Sequence, residues 1–231
     1  MDSSVGVILA SGFIWGLHHA LDPDHLVAVS TIVSEHKSVS RSSLVGTFWG
    51  IGHTSSLLMI SLIVLLLRSS IPNNIARWME APVAIMLVVL GIITIIKAFR
   101  ERGLRIHSHT HVHDESSPHT HLHIHLEKEH VHQHRWFKLG KRPFMVGMVH
   151  GVAGSAALTL LVLSTIPSVA LGLIYIGVFG VGSIGGMLLM SALIGVPFAL
   201  TARRYTVING GIRFAAGAFS IVYGLVLAWK L

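Results

Sequence analysis

The segment HHALDPDH, residues 18–25, concentrates side chains that bind metal ions or carry protons. Imidazole nitrogen combined with carboxylate oxygen, and without sulfur, suits divalent nickel, cobalt, zinc, iron or manganese rather than Cu(I). Two carboxylates would also offset the cost of moving a divalent cation out of water. These residue types therefore predict a site for a divalent transition-metal ion.

Proline at position 23 predicts a break in the helix that carries these side chains. Proline has no N–H, so in a continuous helix the carbonyl of His19 would lose its hydrogen-bond partner. Asp22 followed by Pro23 is also typical of a helix start, with Asp at the N-cap and Pro at the first helical position. We therefore expect two half-helices that meet at Asp22–Pro23 and aim the ligands into one small space.

Two further histidines, His53 and His150, are candidate ligands on other helices. The motif GIGHT at 50–54 places His53 about 15 Å along a helix that starts near Ser43, which is mid-membrane depth. His53 could instead be a hydrogen-bond partner between helices, and His18 could orient its neighbour or face another helix. The predicted metal ligands are His19, Asp22, Asp24, His25 and His53, with His18 and His150 as weaker candidates.

The composition places the chain among membrane proteins. Of its 231 residues, 52% are hydrophobic and 12% are charged, whereas soluble domains carry about 25% charged residues. The mean hydropathy is +0.70. There is no cysteine, which excludes disulfides and thiolate metal sites. The N-terminus MDSSVGVILA lacks the basic region of a signal peptide, so we expect it to be retained in a first span.

Apolar stretches of about 20 residues predict the membrane-spanning helices. Residues 144–201 contain no Lys, Arg, Asp or Glu, and STIPSV at 164–169 supplies a turn within that stretch. The segment that follows is long and contains Pro197 and several glycines, so it is expected to bend or break; seven spans are the alternative. Six spans are predicted, at 5–34, 43–67, 80–99, 144–164, 169–200 and 207–229.

The distribution of basic residues predicts the orientation of six spans. One side of the membrane would hold 14 Lys and Arg residues and the other side 3. The positive-inside rule places the richer side in the cytoplasm, so both termini lie outside the plasma membrane and the loop 100–143 is cytoplasmic. This asymmetry accounts for the net charge of +7 without a nucleic-acid partner. The expected partners are membrane lipid and a metal ion, and a homo-oligomer is compatible with the sequence.

The loop 100–143 contains 11 of the 17 histidines, which alternate with other residues. This spacing offers many weak, exchangeable sites for borderline cations; the alternative is a solvated linker that transport does not need. Because its apolar content is low, the loop is expected to lack regular structure without metal. The predicted metal-buffering residues are His107, His109, His111, His113, His119, His121, His123, His125, His130, His132 and His134.

Two pairs of segments indicate an internal repeat. GLHHALDPDHLVAVST at 16–31 aligns with GMVHGVAGSAALTLLV at 147–162, and FWGIGHTSSLLM at 48–59 aligns with VFGVGSIGGMLL at 178–189. Each copy would hold three spans, an odd number, so the second copy is inverted and the binding site is expected at the interface between the copies.

The predicted fold is thus an all-α polytopic membrane protein of six helices, arranged as two inverted three-helix repeats, with the first helix broken at Asp22–Pro23. Its parts are the first repeat at 1–99, the His-rich loop at 100–143 and the second repeat at 144–231.

These motifs resemble those of the nickel/cobalt transporter superfamily, in particular its six-span NicO-type exporters and UreH-like, urease-accessory membrane proteins. The family signature H-x4-D-H matches His19, Asp24 and His25, and Asp22 is in its usual place. The signature F-x-x-G-H-[ST] approximates FWGIGHT, with one extra residue after the Phe. UreH-like members carry a stretch like GMVHGVAGSAAL at 147–158. Nickel importers instead carry an acidic D-T-A-T-E-type motif there, which this chain lacks. The resemblance covers all six spans.

The residues and the resemblance together imply a transporter of divalent metal, nickel or cobalt first, and not an enzyme. Zn²⁺, Fe²⁺ and Mn²⁺ remain compatible with the ligands, and no prosthetic group is expected. Efflux by a secondary, proton-linked mechanism is preferred, because a cytoplasmic His-rich loop would concentrate surplus metal and because metal binding displaces protons. The alternatives are an importer that supplies urease or hydrogenase maturation, a metal-storage or chaperone protein, an amino-acid exporter, and a di-iron membrane enzyme.

Overall fold

The structure is a computed structural model, and it describes residues 3–67, 72–102, 106–111, 119–124, 140–153, 166 and 168–231. The helices in these residues are α1 (Ser3–His19), α2 (Pro23–Val33), α3 (Val39–Leu67), α4 (Asn73–Arg102), α5 (140–153), α6 (Val169–Arg204) and α7 (Thr206–Trp229). Two short strands, β1 (Ile106–His111) and β2 (His119–Ile124), lie between α4 and α5.

The predicted break in the first span is present. Helix α1 ends at His19, α2 begins at Pro23, and the two are bent by 55°. The backbone groups freed by the proline are satisfied locally: the N–H of Asp22 donates to the carbonyl of His19 at 3.1 Å, and the N–H of Leu21 donates to the carbonyl of His18 at 2.9 Å. A tight turn therefore joins the half-helices and pairs the carbonyls of His18 and His19 at membrane depth.

Helices α3, α4, α6 and α7 are each long and apolar enough to cross a membrane, and α1 with α2 makes a fifth, bent span. The chain is therefore a multi-pass helical membrane protein. Helix α6 continues through Pro197, so the break expected in that segment, on which the alternative of seven spans rested, is absent. The described part of α5 is shorter than a span, and residues 154–164 of the predicted fourth span lie outside the described residues.

The His-rich loop contains an antiparallel pair of strands, in which His107 is opposite His123, and His109 is opposite His121. The expectation that the whole loop lacks regular structure is thus wrong for β1 and β2. Alternation of histidine with Thr, Leu and Ile matches the two-residue period of a strand, and β-branched residues favour it. The remaining predicted loop ligands, His113, His125, His130, His132 and His134, lie outside the described residues.

Glycines allow the central helices to pack backbone against backbone. A Cβ added to Gly16 would overlap the carbonyl oxygen of Phe179, and one added to Gly182 would overlap that of Phe13, which joins α1 closely to α6. Helix α3 packs equally closely on α5: Cβ atoms at Gly52 and Gly147 would overlap the carbonyl oxygens of Phe144 and Trp49, respectively. Helices α1, α3, α5 and α6 thus form one closely packed group.

Helices α4 and α7 form a second, antiparallel pair. Gly91 and Gly217 bring the two backbones together, and the hydroxyl of Ser220 donates to the carbonyl of Leu87 at 2.7 Å. Of helices α1, α2, α3 and α6, this pair contacts chiefly α2 and α6. We call the end where α4 begins and α7 ends the cavity face, and the opposite end, where α4 ends and α5 begins, the loop face.

Candidate metal site

Asp24 and His25 lie in the first turn of α2 because that helix starts at Pro23. The N–H of His25 donates to Asp24 Oδ1 at 3.0 Å, and the same oxygen lies 3.1 Å from His25 Nδ1. A helix N-terminus stabilises a negative charge in this position. The helix break therefore supplies an anionic ligand in the middle of an otherwise apolar span.

His150 approaches the same carboxylate from α5. Its Nε2 lies 2.8 Å from Asp24 Oδ2, although the two residues are 126 positions apart in sequence. Asp24 therefore bridges two imidazoles, one through each oxygen. Each of these histidines is 2% exposed, whereas the Asp24 side chain is 30% exposed, so the bridge is reached from its carboxylate side.

His19 is held by Asp22. The Asp22 side chain makes no capping hydrogen bond to α2, although it stands at the N-cap; its Oδ2 lies 2.7 Å from His19 Nδ1 instead. With a proton on Nδ1, the lone pair of His19 is left on Nε2, which lies 3.1 Å from Nε2 of His53. A carboxylate that sets the tautomer of a histidine in this way is typical of metal sites.

These side chains form two groups that could hold a metal ion, and the two groups share His25. One group is His19, His25 and His53, the other is Asp24, His25 and His150, and within each group the ligand atoms lie within 4.8 Å of one another. We call the six residues that make or hold these groups the histidine–aspartate cluster: His19, Asp22, Asp24, His25, His53 and His150.

Unpaired nitrogen atoms in this cluster point to a ligand. Among the described residues, His25 Nε2, His53 Nδ1 and His150 Nδ1 are buried without a hydrogen-bond partner. Leaving buried polar atoms unpaired costs about 1–3 kcal/mol each. A divalent cation, or water, would satisfy such nitrogens, and imidazole with carboxylate suits nickel, cobalt and similar ions.

Aromatic rings fix the orientation of the histidines. The ring of His25 stacks on Trp49 with centroids 5.5 Å apart, and the edge of Trp49 meets His150 at 5.6 Å. Phe179 lies 5.3 Å from His19. The sequence prediction did not include Trp49, although a signal was available: it stands four residues before His53 and therefore on the same face of α3.

A cavity of about 600 Å³ leads from the cluster toward the cavity face. Its lining includes His19, Asp24 and His150 at the deep end and Trp15, Glu80, Tyr175, Tyr223 and Leu227 farther out. His18 lies on this wall, exposed, with its ring 5.8 Å from Trp15, and belongs to neither metal-binding group. Of the predicted ligands, His18 is thus the one that the fold does not bring into the cluster.

Comparison with known proteins identifies close relatives. The chain is 39% identical to the urease accessory protein UreH of Bacillus sp. (strain TB-90) over 227 residues, which is 97% of this chain and 91% of UreH. It is 29% identical over 187 residues to the chloroplast protein FOR GROWTH AND FERTILITY 1 of Arabidopsis thaliana, covering 80% of this chain and 48% of that protein. FOR GROWTH AND FERTILITY 2, from the same plant, is 26% identical over 219 residues, covering 94% of this chain and 55% of the relative.

The chain thus spans about half the length of the two plant proteins. No solved structure matches it. The sequence profile of the NicO family, described as high-affinity nickel-transport protein, matches residues 5–226. Since this match covers nearly the whole sequence, the chain belongs to the NicO family of nickel-transport proteins, a family of metal transporters and not of enzymes.

Proposed function

We propose that this protein carries Ni²⁺ or Co²⁺ across the membrane through the histidine–aspartate cluster. The observation that supports this most directly is the pair of three-ligand groups, each with two buried histidines and one partly exposed ligand, that share His25 at the deep end of a cavity. Asp24 supplies negative charge to a divalent ion, and the neutral imidazoles supply nitrogen. His25 belongs to both groups, so an ion could pass from one group to the other without leaving the coordination of that ring.

Six spans in two inverted repeats are part of the proposal. The glycine contacts support it, because they occur in matched pairs under the sequence alignment of 16 with 147 and of 48 with 178. The contact of Gly16 with Phe179 corresponds to the contact of Gly147 with Trp49. Each residue of the first contact aligns with a residue of the second in the other repeat.

Two more contacts follow the same rule. Gly182 against Phe13 corresponds to Gly52 against Phe144, and Gly180 against Thr54 corresponds to Gly50 against Ile184. His19 and His150 also stand at matched positions of the alignment. The cluster would then lie at the repeat interface, where transporters built in this way bind their substrates.

We further propose efflux from the cytoplasm, coupled to protons. On the positive-inside rule the loop face is cytoplasmic and both termini are outside. The His-rich loop would collect metal there, and its paired strands bring histidine positions opposite one another. Metal binding must displace protons from imidazole and carboxylate, so an inward proton gradient is a natural driving force.

Import for metalloenzyme maturation is the second candidate. The observation that favours it is the similarity to UreH, which is named as a urease accessory protein. An importer would use the same cluster in the opposite direction, with the loop as an acceptor for incoming metal.

Metal flux in proteoliposomes of known orientation tests the proposal. We expect flux of Ni²⁺ or Co²⁺, with Zn²⁺, Fe²⁺ and Mn²⁺ as the competing ions, and loss of flux in His25→Ala. His18→Ala is the matched control, because this histidine lies on the same segment but outside both metal-binding groups. Flux that survives His25→Ala would contradict the assignment of the cluster. Growth in toxic nickel separates the directions: an exporter protects cells and lowers their metal content, whereas an importer does the opposite.

A further inference from the structure

We propose that Glu35, Lys97 and Arg142 form the gate on the loop face, and that they hold this structure in the state whose metal site opens only to the cavity face. This inference rests on the proposed transport function. It assigns a role to three charged residues outside the histidine–aspartate cluster.

The three side chains join the ends of three helices. Lys97 Nζ, near the end of α4, lies 2.6 Å from Glu35 Oε2. Arg142 Nη1, at the start of α5, lies 3.1 Å from Oε1 and 3.2 Å from Oε2 of the same carboxylate. Glu35 follows the last turn of α2, and its side chain is 18% exposed. One partly buried carboxylate thus ties α2, α4 and α5 together at the loop face.

This contact lies on the far side of the metal site from the cavity. Glu80, which lines the cavity, precedes Lys97 by 17 positions on α4, a distance of about 25 Å along the axis. Asp24, in the metal site, and Glu35 are also separated along the chain, by about three turns of helix. The residues between them include Ala28 and Thr31, both 0% exposed, and Trp49 on α3 is also 0% exposed. Among the described residues, the packing is therefore open between the cluster and the cavity face and closed between the cluster and the loop face.

The helix pair α4–α7 is the part of the fold that could move. Its members pack closely on each other, and of helices α1, α2, α3 and α6 they contact chiefly α2 and α6. Glu80, Val83, Tyr223 and Leu227 of this pair form one wall of the cavity. If Lys97 releases Glu35, the loop-face end of α4 is free to separate from α2, and the wall on the cavity side can swing inward.

The charges also suit a gate for cations. While Lys97 and Arg142 are in place, they neutralise Glu35 and present a positive surface to a divalent ion. When α4 moves away with Lys97, Glu35 keeps Arg142 of α5 as its partner, and the contact loses one positive charge. The same movement therefore opens the route and weakens the repulsion of a divalent ion along it.

Cysteine accessibility tests the gate without using metal. The natural chain has no cysteine, so each single variant carries one thiol. Thr31→Cys places it on the loop-face side of the cluster, and Leu227→Cys places it on the cavity-face side. Each is labelled with a membrane-impermeant maleimide from either face of oriented vesicles. In the Lys97→Met background we expect labelling at position 31 from the loop face to rise about tenfold, and labelling at position 227 from the cavity face to fall.

Two controls accompany the test. Lys97→Arg keeps the charge and should leave labelling unchanged. Arg77→Gln removes a cation from the other end of α4 and should also leave labelling unchanged. The guanidinium of Arg77 donates to the carbonyls of Lys230 and Leu231, so its contacts stay within the α4–α7 pair. Arg142→Gln is a second gate variant, with the same expected outcome as Lys97→Met, in case Lys97→Met does not fold.

The results distinguish this inference from the proposed function. Unchanged labelling in both gate variants would overturn the gate. A rise at both thiol positions would also overturn it, because it indicates general loosening of the fold. Ni²⁺ binding to the purified variants is measured in parallel and should stay within about twofold of the unmodified protein. A labelling switch in a protein that binds no nickel would leave the gate standing and refute the proposed substrate.

Discussion

A carboxylate lies at each end of helix α2, Asp24 in its first turn and Glu35 just after its last, and the two are held by different kinds of partner. Asp24 lies against His25 and His150 at 3.1 and 2.8 Å, whereas Glu35 lies against Lys97 and Arg142. Histidine can be neutral and gives its lone pair to a metal, while Lys and Arg offer only donors and remain charged. One end of α2 is therefore suited to exchange a cation, and the other to hold a contact between helices.

The largest effect is expected at the Asp24 end. Asp24→Asn keeps the shape of the side chain but removes the charge that balances a divalent ion, so Ni²⁺ binding should weaken roughly 100-fold or more and flux should be lost. Isothermal titration of the purified protein measures Ni²⁺ binding, and proteoliposomes measure the flux. Glu35→Gln is the matched variant at the other end and should bind Ni²⁺ normally. Near-normal flux in Asp24→Asn would remove the distinction between the two ends.

A smaller effect is expected from Asp22, which acts through another residue. Asp22→Ala removes the acceptor that holds His19 Nδ1, so the His19 ring loses its fixed tautomer, and Ni²⁺ affinity should fall about 10–100-fold. Asp22→Asn retains an acceptor oxygen and should recover part of the affinity. If Asp22→Ala also destroys the thermal stability of the metal-free protein, its role is to form the turn between α1 and α2 and not to orient the ligand.

Deleting residues 107–134 should produce an effect of a few fold, on metal dependence only. This loop joins α4 and α5, the helices that carry both cations of the gate. If the loop buffers metal for the proposed efflux, its removal should raise the nickel level on the loop face needed for half-maximal efflux without changing the maximal rate. Efflux at graded metal concentrations measures both quantities. A fall in the maximal rate would mean that the loop takes part in transport itself.

The smallest change is expected from pH at the Glu35 end. Burial alone would raise the pKa of Glu35, but the adjacent Lys97 and Arg142 outweigh it and hold the pKa below its ordinary value of 4.5. A depressed carboxylate pKa means that the ion pairs persist above that value and are lost only as the pH falls through the lowered one. Burial, chiefly, also lowers the pKa of the neighbouring His36, which therefore stays neutral near pH 7.

Maleimide reacts with the thiolate, so the raw labelling rate of Thr31→Cys falls with pH whatever the gate does. The ratio of this rate to that of the same thiol in the open Lys97→Met background cancels that effect, and the ratio should accordingly remain flat between about pH 8 and pH 6. A transition within the range would indicate that a histidine, and not only Glu35, controls the gate.

Local chemistry made much of this protein predictable. Proline lacks an N–H, so Asp22–Pro23 interrupts a helix whatever surrounds it, and the break appears between His19 and Pro23. The apolar stretches and the family signature H-x4-D-H depend only on the linear sequence, and they indicated a membrane protein of the nickel-transport family. The ligand types in residues 18–25 likewise indicated metal chemistry before any fold was known.

Tertiary packing decided which side chains meet. His18 and His19 are adjacent in sequence, but successive helical residues point about 100° apart, and only His19 faces His53. His150 was a weak candidate because its partner Asp24 is 126 residues away, and no local pattern encodes such a contact. The carboxylate of Glu35 and the cations that hold it come from three helices for the same reason. Sequence determined which groups are available, and the close packing of glycine-lined helices determined their neighbours.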